Sequence, residues 1–207
     1  MSCRTLLSAQ DAGAATQMLA LADILNRNGA FEVFVYAADP AHHLFERAGL
    51  RHEYVAPQTS ESWLTRAATA VNGFCPDIVV VGLSSIDHNI DTAFLAAQQR
   101  RGGIDAMLLD DRGPLQAMSG RVPALLLAVN DPIKRWAEMH CHAPAANIGS
   151  PKAAAWRHLP LTGMRRQARQ QLGLSDADIA LIYSLQTSSL PGHDESFASF
   201  VEAFADT

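Results

Sequence analysis

Residues 77–83 read DIVVVGL and carry the strongest strand signal in the sequence. The run is apolar and rich in β-branched residues, which is typical of a central parallel strand that is covered on both faces. Similar but weaker runs occur at 4–9, 31–37, 104–109 and 124–129. Because helical periodicity separates them, the pattern predicts repeated βαβ crossovers. The predicted fold class is therefore α/β, a Rossmann-like doubly wound parallel sheet with helices on both faces.

Two Asp-Pro pairs, Asp39-Pro40 and Asp131-Pro132, mark the expected starts of two helices. An aspartate at the N-cap accepts hydrogen bonds from the first helical amides, and proline loses no bond in the first turn. Both aspartates are therefore predicted to be structural caps.

Charge and composition narrow the classes of partner. The chain has 207 residues and a formal net charge of −5, whereas nucleic acids and anionic membranes require concentrated basic surface. No run of 18 apolar residues occurs, so we expect no membrane span. The three cysteines are scattered and form no C-x-x-C motif. They are typical of reduced thiols and predict a cytoplasmic location.

Ligands of a doubly wound sheet bind beyond the carboxyl ends of its strands. The residues at those positions are the candidate site residues, namely Asp11, Gly13, Asp87, His88, Asp110, Asp111 and Arg112. Asp11 is a candidate base for a hydroxyl group, with helix capping as its structural alternative. Gly13 is expected to relax the turn so that a ligand reaches the helix N-terminus.

The other candidates also have two interpretations each. Asp87 and His88 could form an acid–base pair, or Asp87 could cap the next helix. Asp110 and Asp111 could hold Mg²⁺ or a sugar hydroxyl, and Arg112 could pair with a phosphate. Their structural alternative is a solvated charged loop.

Histidine clusters do not predict a metal site in this sequence. His140 and His142 are two residues apart, a spacing that does not place them on one helix face, and no second ligand pair is evident. The adjacent pair at 42 and 43 is assigned in the same way to a short surface helix. We therefore predict no bound metal.

Three segments together resemble a known family. They are the opening strand with its loop SAQDAGAA (8–15), LLDDRGPL with the following stretch through GSPKAA (108–154), and RRQARQQLGLSDADIALIYSLQTS (165–188). Their layout resembles that of GT-B glycosyltransferases and UDP-GlcNAc 2-epimerases. The resemblance implies a GT-B N-terminal-domain type of fold. Residues 1–160 would be the acceptor-side Rossmann-like domain, and residues 161–207 the linker helix and first βα unit of an incomplete second domain.

The resemblance also implies site residues in that second domain, which holds most of the nucleotide sugar in GT-B enzymes. Gln186 and Thr187 follow the strand expected at 179–185 and would bind substrate. The family's epimerases carry a histidine in this loop, whereas residues 186–188 here read QTS, which disfavours epimerase chemistry.

The function implied is that of a glycosyltransferase-like protein, or the front portion of one, that transfers a sugar from a nucleotide-activated donor. Asp11 or His88 would deprotonate the acceptor, a small molecule or a glycan, and no cofactor is required besides the nucleotide-sugar donor. The alternative is a non-catalytic ligand-binding or scaffold protein of the same fold. A module for adenine nucleotides is disfavoured because the glycine-rich fingerprint is absent. An open cleft face would be compatible with a homodimer.

Overall fold

The computed structural model describes residues 2–56, 59–84, 89–111, 121–157 and 159–180, together with 198–199 and 201–202. The chain divides into two compact units, residues 1–159 and residues 160–207.

The first unit is an α/β sandwich built on one sheet. Its strands are β1 (Cys3–Ala9), β2 (Phe31–Ala37), β3 (Glu53–Tyr54), β4 (Ile78–Gly82), β5 (Ile104–Leu109), β6 (Leu125–Ala128) and β7 (Ala145–Asn147). Its helices are α1 (Ala12–Arg27), α2 (Ala41–Arg47), α3 (Ser60–Phe74), α4 (Ile90–Arg101), α5 (Asp131–His140) and α6 (Pro151–Trp156). The predicted alternation of strands and helices is confirmed.

The sheet is parallel throughout its described strands, in the order β3-β2-β1-β4-β5-β6-β7. Strand β1 is an interior strand next to the central strand β4, so that Leu7 pairs with Val35 of β2 on one side and with Val80 of β4 on the other. The chain order reverses between β1 and β4, which puts the crossover helices on both faces. Ligands of doubly wound sheets bind at such a reversal, beyond the carboxyl ends of the two strands.

Alternating side chains of the central strands form two apolar cores. Leu6 packs in the core that holds Trp63 and Phe94, whereas the next residue, Leu7, packs in the core that holds Met18 and Phe45. Consecutive strand residues point to opposite faces, so a strand covered on both sides must be apolar at nearly every position. Ser8, which follows them and is fully buried, is an exception with a specific partner described below.

The capping role predicted for Asp131 is wrong by one residue. The N-cap of α5 is Asn130, whose side-chain oxygen accepts a hydrogen bond from the amide of Ile133 at 2.9 Å. Asp131 instead accepts a hydrogen bond from the side chain of Asn147 at 2.8 Å. Asn130 and Asp131 are both good N-cap residues and are adjacent in the sequence. The helix begins at Asp131, so Asn130 occupies the cap position.

The cap predicted for Asp39 is also wrong. Pro40 occupies the N-cap position of α2, and that helix has no side-chain capping hydrogen bond. The carboxylate of Asp39 accepts a hydrogen bond from the Tyr54 hydroxyl at 2.8 Å, which ties the start of α2 to β3.

The second unit contains α7 (Leu161–Gln171) among its described residues. The guanidinium of Arg169 donates to the carbonyl of Asp178 at 2.7 Å and so holds the turn that follows the helix. Most of the strand expected at 179–185 lies outside the described residues. Among the helices that the structure describes, none is long and apolar enough to cross a membrane.

Candidate functional site at the carboxyl edge of the sheet

Asp11 is the second residue after β1 and lies at the reversal point of the sheet. It occupies the N-cap position of α1 with extended backbone angles, and its carbonyl accepts a hydrogen bond from Ala15 at 2.8 Å. Its carboxylate makes no capping hydrogen bond to the helix. The Asp11 carboxylate thus lies at the carboxyl edge of the sheet without contributing to the helix cap.

Gly13 is the second residue of α1 and has ordinary helical geometry, so it does not relax a turn as expected from the sequence. A Cβ atom added at this position would lie 3.7 Å from Oδ2 of Asp110. The first turn of α1 therefore faces the carboxylate that follows β5, with ordinary van der Waals space between them.

Asp110 is a half-buried carboxyl at the end of β5. Burial is the largest cause that raises its pKa, and the negative charges of Asp111 and Asp11 raise the pKa further. Lys152 opposes the shift because its positive charge favours the ionised form. Asp110 thus retains a proton to higher pH than an ordinary aspartate, a property suited to hydrogen bonding with or proton transfer from a hydroxyl group.

The Gly-Ser-Pro turn brings Lys152 to this edge. Gln17, buried in α1, accepts hydrogen bonds from the Ser150 hydroxyl and from the Lys152 amide, both at 3.2 Å. Ser150 also caps α6 through its hydroxyl, which accepts from Ala153 at 3.2 Å. The turn is therefore tied to α1, and the positive charge of Lys152 acts on the Asp110 carboxyl.

Asp91 is a buried carboxyl in the first turn of α4 that sequence reasoning missed. Its side chain accepts one hydrogen bond from the Ser8 hydroxyl and a second one, at 3.2 Å, from the Gln10 amide. Burial raises its pKa from 3.8 to about 7, while these two hydrogen bonds lower it and the charge of Asp11 adds to the rise. The available signals were a lone serine in an apolar strand and an aspartate at a helix start, both next to the expected ligand edge.

Gln10 ties the loop before Asp11 to α4. Its amide donates to Asp91, and its side-chain oxygen accepts from the amide of Ile90 at 3.1 Å. The loop that carries Asp11 is thus held through both the main chain and the side chain of one residue. Asp91 and Gln10 are positioning residues for the edge rather than groups that reach a ligand, because both are buried.

A cavity of about 370 Å³ opens beside this edge, between β3, α3 and α4. Ile90 and Phe94 supply apolar lining, whereas Tyr36, Glu53 and Arg66 supply polar groups. The Tyr36 ring lies 5.0 Å from the Phe94 ring, and burial raises the pKa of the Tyr36 hydroxyl. The cavity combines apolar lining with a few polar groups, as pockets for small molecules do.

The structure thus brings together Asp11, Gly13, Asp110 and Asp111 of the predicted site. Asp87, His88, Arg112, Gln186 and Thr187 lie outside the described residues, and their roles stay predictions.

Comparison with solved structures identifies the class of fold. UDP-GlcNAc 2-epimerase from Neisseria meningitidis, in complex with UDP-GlcNAc, is 13% identical over 98% of this chain and 63% of its own, with a TM-score of 0.67. The epimerase from Rickettsia bellii is 10% identical over 99% of this chain and 60% of its own, with a TM-score of 0.69. MurG from Acinetobacter baumannii is 13% identical over 63% of this chain and 42% of its own, with a TM-score of 0.52.

The chain therefore has a Rossmann-like α/β fold of the GT-B N-terminal-domain type, as the resemblance implied. At these identities the likeness establishes the fold alone. The chain spans less than two thirds of the length of each of these three proteins. No protein-family model matches the chain, and the search of curated proteins finds no match either.

Proposed function

We propose that this chain is a GT-B-type glycosyltransferase-like protein, or the acceptor-side portion of one, that uses a nucleotide-activated sugar. The observation that carries the proposal is the placement of Asp11 and Asp110 around the first turn of α1, beside the point where the sheet reverses. Solved neighbours of the same fold support the ligand class, since one is a complex with UDP-GlcNAc and another with UDP.

In this reaction the oxygen of an acceptor hydroxyl attacks the anomeric carbon of the donor sugar, and Asp11 takes the proton of that hydroxyl. The bond between that carbon and the diphosphate oxygen breaks, and the nucleoside diphosphate leaves with the bonding electron pair. Asp110, whose pKa is raised, holds a hydroxyl of the acceptor by a hydrogen bond. Lys152 supplies positive charge at the same edge. The acceptor is a small molecule or a glycan, and no further cofactor is required.

His88 is the second candidate for the base, with Asp87 as its partner, and Arg112 is the candidate phosphate ligand. Gln186 and Thr187 remain candidates for donor binding. We place the reaction in the cytoplasm, and the three free cysteines support that location.

The Asp11→Asn variant tests the role of the base. We expect release of UDP from UDP-GlcNAc by the full-length protein, with water as acceptor, to fall about 100-fold or more in this variant. The dissociation constant for UDP-GlcNAc should stay nearly unchanged, because asparagine keeps the shape of the side chain. Turnover is measured by a coupled assay for UDP and binding by isothermal titration calorimetry.

Asp23→Asn is the matched control, since Asp23 lies on the same helix but pairs with Arg27 at 2.8 Å on an exposed surface. Its turnover should equal that of the wild type. Full activity of the Asp11→Asn variant would remove Asp11 from the mechanism. Tight binding of UDP-GlcNAc without any release of UDP from the wild type, with acceptor sugars present as well as with water alone, would favour the non-catalytic binding protein instead.

A further inference from the structure

The short helix α2 carries a cluster of side chains with the composition of a metal site. His42, His43 and Glu46 each offer one ligand atom, and the three atoms lie within 4.8 Å of one another. The cluster lies next to the loop after β1, because the Ala41 amide that begins α2 donates to the carbonyl of Gln10 at 2.9 Å. We propose that His42, His43 and Glu46 bind one Zn²⁺ ion through two imidazole nitrogens and one carboxylate oxygen.

A chain of hydrogen bonds fixes the tautomer of His42 that zinc requires. Nδ1 of His52 lies 2.7 Å from the carbonyl oxygen of Leu50, which can only accept, so Nδ1 of His52 carries a proton. Nε2 of a neutral His52 is then an acceptor, and it lies 2.8 Å from Nδ1 of His42. His42 therefore donates from Nδ1 and presents the lone pair of Nε2, the atom that faces Glu46. Metal-binding histidines are usually oriented by such a bond from the second ring nitrogen.

The ring of His43 has a comparable outer partner. Its Nδ1 lies 4.0 Å from Oε2 of Glu46, whereas its Nε2 lies 3.5 Å from Oδ1 of Asp39. That oxygen is buried and accepts no hydrogen bond from any residue the structure describes, while the other oxygen of Asp39 accepts from Tyr54. Zinc on Nδ1 places the proton on Nε2, aimed at the buried oxygen. A carboxylate behind a ligating histidine is a common second layer of zinc sites.

The three ligand atoms lie slightly farther apart than in an occupied zinc site, and small side-chain rotations would bring them to zinc-binding distance. Oε2 of Glu46 lies 4.0 Å from Nε2 of His42 and 4.0 Å from Nδ1 of His43. Tetrahedral zinc with bonds of about 2.1 Å requires separations of about 3.4 Å between its ligand atoms. The side chains of His43 and Glu46 are 59% and 68% exposed and can rotate by that amount, while His42, at 21%, is held in place. Three protein ligands leave a fourth position open, as in catalytic zinc sites.

Packing alone explains only part of the cluster. The ring of His42 lies 4.1 Å from the Tyr54 ring and 5.0 Å from the His52 ring, which accounts for the inner histidines as structural residues. Packing does not involve the exposed Glu46 carboxylate, which lies 4.0 Å from a ring nitrogen of both His42 and His43 and brings negative charge to the point that a cation would occupy. The proposed zinc site contradicts the sequence prediction of no metal. That prediction considered the histidine pair alone, whereas Glu46 and Asp39 from the same segment and His52 from the loop before β3 complete the arrangement.

The test is titration of the full-length, metal-free protein with ZnCl₂ by isothermal calorimetry, supported by the visible absorption of Co²⁺ in the same site. We expect one ion per chain. His43→Ala and Glu46→Gln should each weaken binding at least about 10-fold. Both residues are exposed, so the variants should keep the circular dichroism spectrum of the wild type.

Two further variants separate a built site from general affinity of histidines for zinc. His52→Phe keeps a ring in place but removes the acceptor for His42, and should weaken zinc binding about 10- to 100-fold with a stoichiometry of one. His140→Ala removes an exposed histidine from α5 and should leave binding unchanged. The site is refuted if zinc does not saturate at one ion per chain, or if His43→Ala and Glu46→Gln bind it as tightly as His140→Ala does.

Discussion

Asp91→Asn is expected to flatten the pH dependence of the stability of the first unit. In the folded protein Asp91 holds its proton up to about pH 7, whereas the unfolded chain releases it near the ordinary value of 3.8. Between these values the folded state binds more protons than the unfolded state. The free energy of unfolding of the wild type therefore falls as the pH rises, and the loss is complete above about pH 7. A pKa difference of this size corresponds to about 4 kcal/mol.

Asparagine removes the titration but retains the local hydrogen bonds. Its side-chain oxygen can accept from the Gln10 amide, and its nitrogen can donate to the Ser8 hydroxyl, which also serves as an acceptor. We expect the variant to gain stability relative to the wild type as the pH is raised from about 4 to about 8, by up to about 4 kcal/mol. Asp23→Asn, at an exposed ion pair, should follow the wild-type profile.

Urea unfolding followed by tryptophan fluorescence measures this difference at each pH. All three tryptophans lie at positions 63, 136 and 156 and therefore report on the first unit alone. Parallel pH profiles for the wild type and Asp91→Asn would mean that Asp91 is ionised in the folded protein at neutral pH. The hydrogen bond from the Ser8 hydroxyl would then be accepted by a charged carboxylate.

The sequence predicts the sheet well because burial on two faces leaves a strong local pattern. The run of valines at 79–81 has to be a covered strand, since every second residue of an exposed strand would be polar. Positions at strand ends then identify Asp11 and Asp110 as neighbours of a ligand edge without further information. The proximity of Asp110 to the first turn of α1 depends on strand order, which local sequence does not encode.

Asp91 shows why the rest of the site could not be predicted. Its sequence context, Asn-Ile-Asp-Thr at a helix start, is that of many solvated first turns. Asp91 is buried only because the start of α4 packs against the end of β1. There the Ser8 hydroxyl and the Gln10 amide donate hydrogen bonds to its carboxyl group. The histidines of α2 present the same difficulty, because His52 approaches them through the pairing of β2 with β3. Long-range packing decides the chemistry in both cases.

Gly82→Ala is expected to destabilise the first unit by about 1–3 kcal/mol. A Cβ atom at Gly82 would lie 2.3 Å from Cβ of Ala14, where carbon atoms normally stay at least about 3.5 Å apart. Ala14 is fixed to the backbone of α1 and cannot rotate away. The first turn of α1 would have to move off β4, and it carries Gly13 and follows Asp11. The midpoint of urea unfolding should fall, and binding at the carboxyl edge should weaken with it.

The double variant Gly82→Ala with Ala14→Gly separates this contact from other effects. Ala14→Gly alone should cost about 1 kcal/mol through the lower helix propensity of glycine. In the double variant the clashing methyl is gone, and the remaining neighbours of the new Cβ lie at 3.4 Å and 3.8 Å. We expect the two changes to be non-additive by about 1–2 kcal/mol, with the double variant more stable than Gly82→Ala.

Gly73→Ala is the control for adding a methyl group to glycine where space is available. Gly73 lies in α3, and a Cβ there would meet nothing within 4 Å, so the change should stabilise the helix by about 0.5–1 kcal/mol. Tryptophan fluorescence during urea unfolding compares all four variants with the wild type. Equal stability of Gly82→Ala and the wild type would show that α1 can move away from β4 at little cost. The position of Asp11 at the reversal of the sheet would then be set by the hydrogen bonds of Gln10 rather than by the contact between helix and strand.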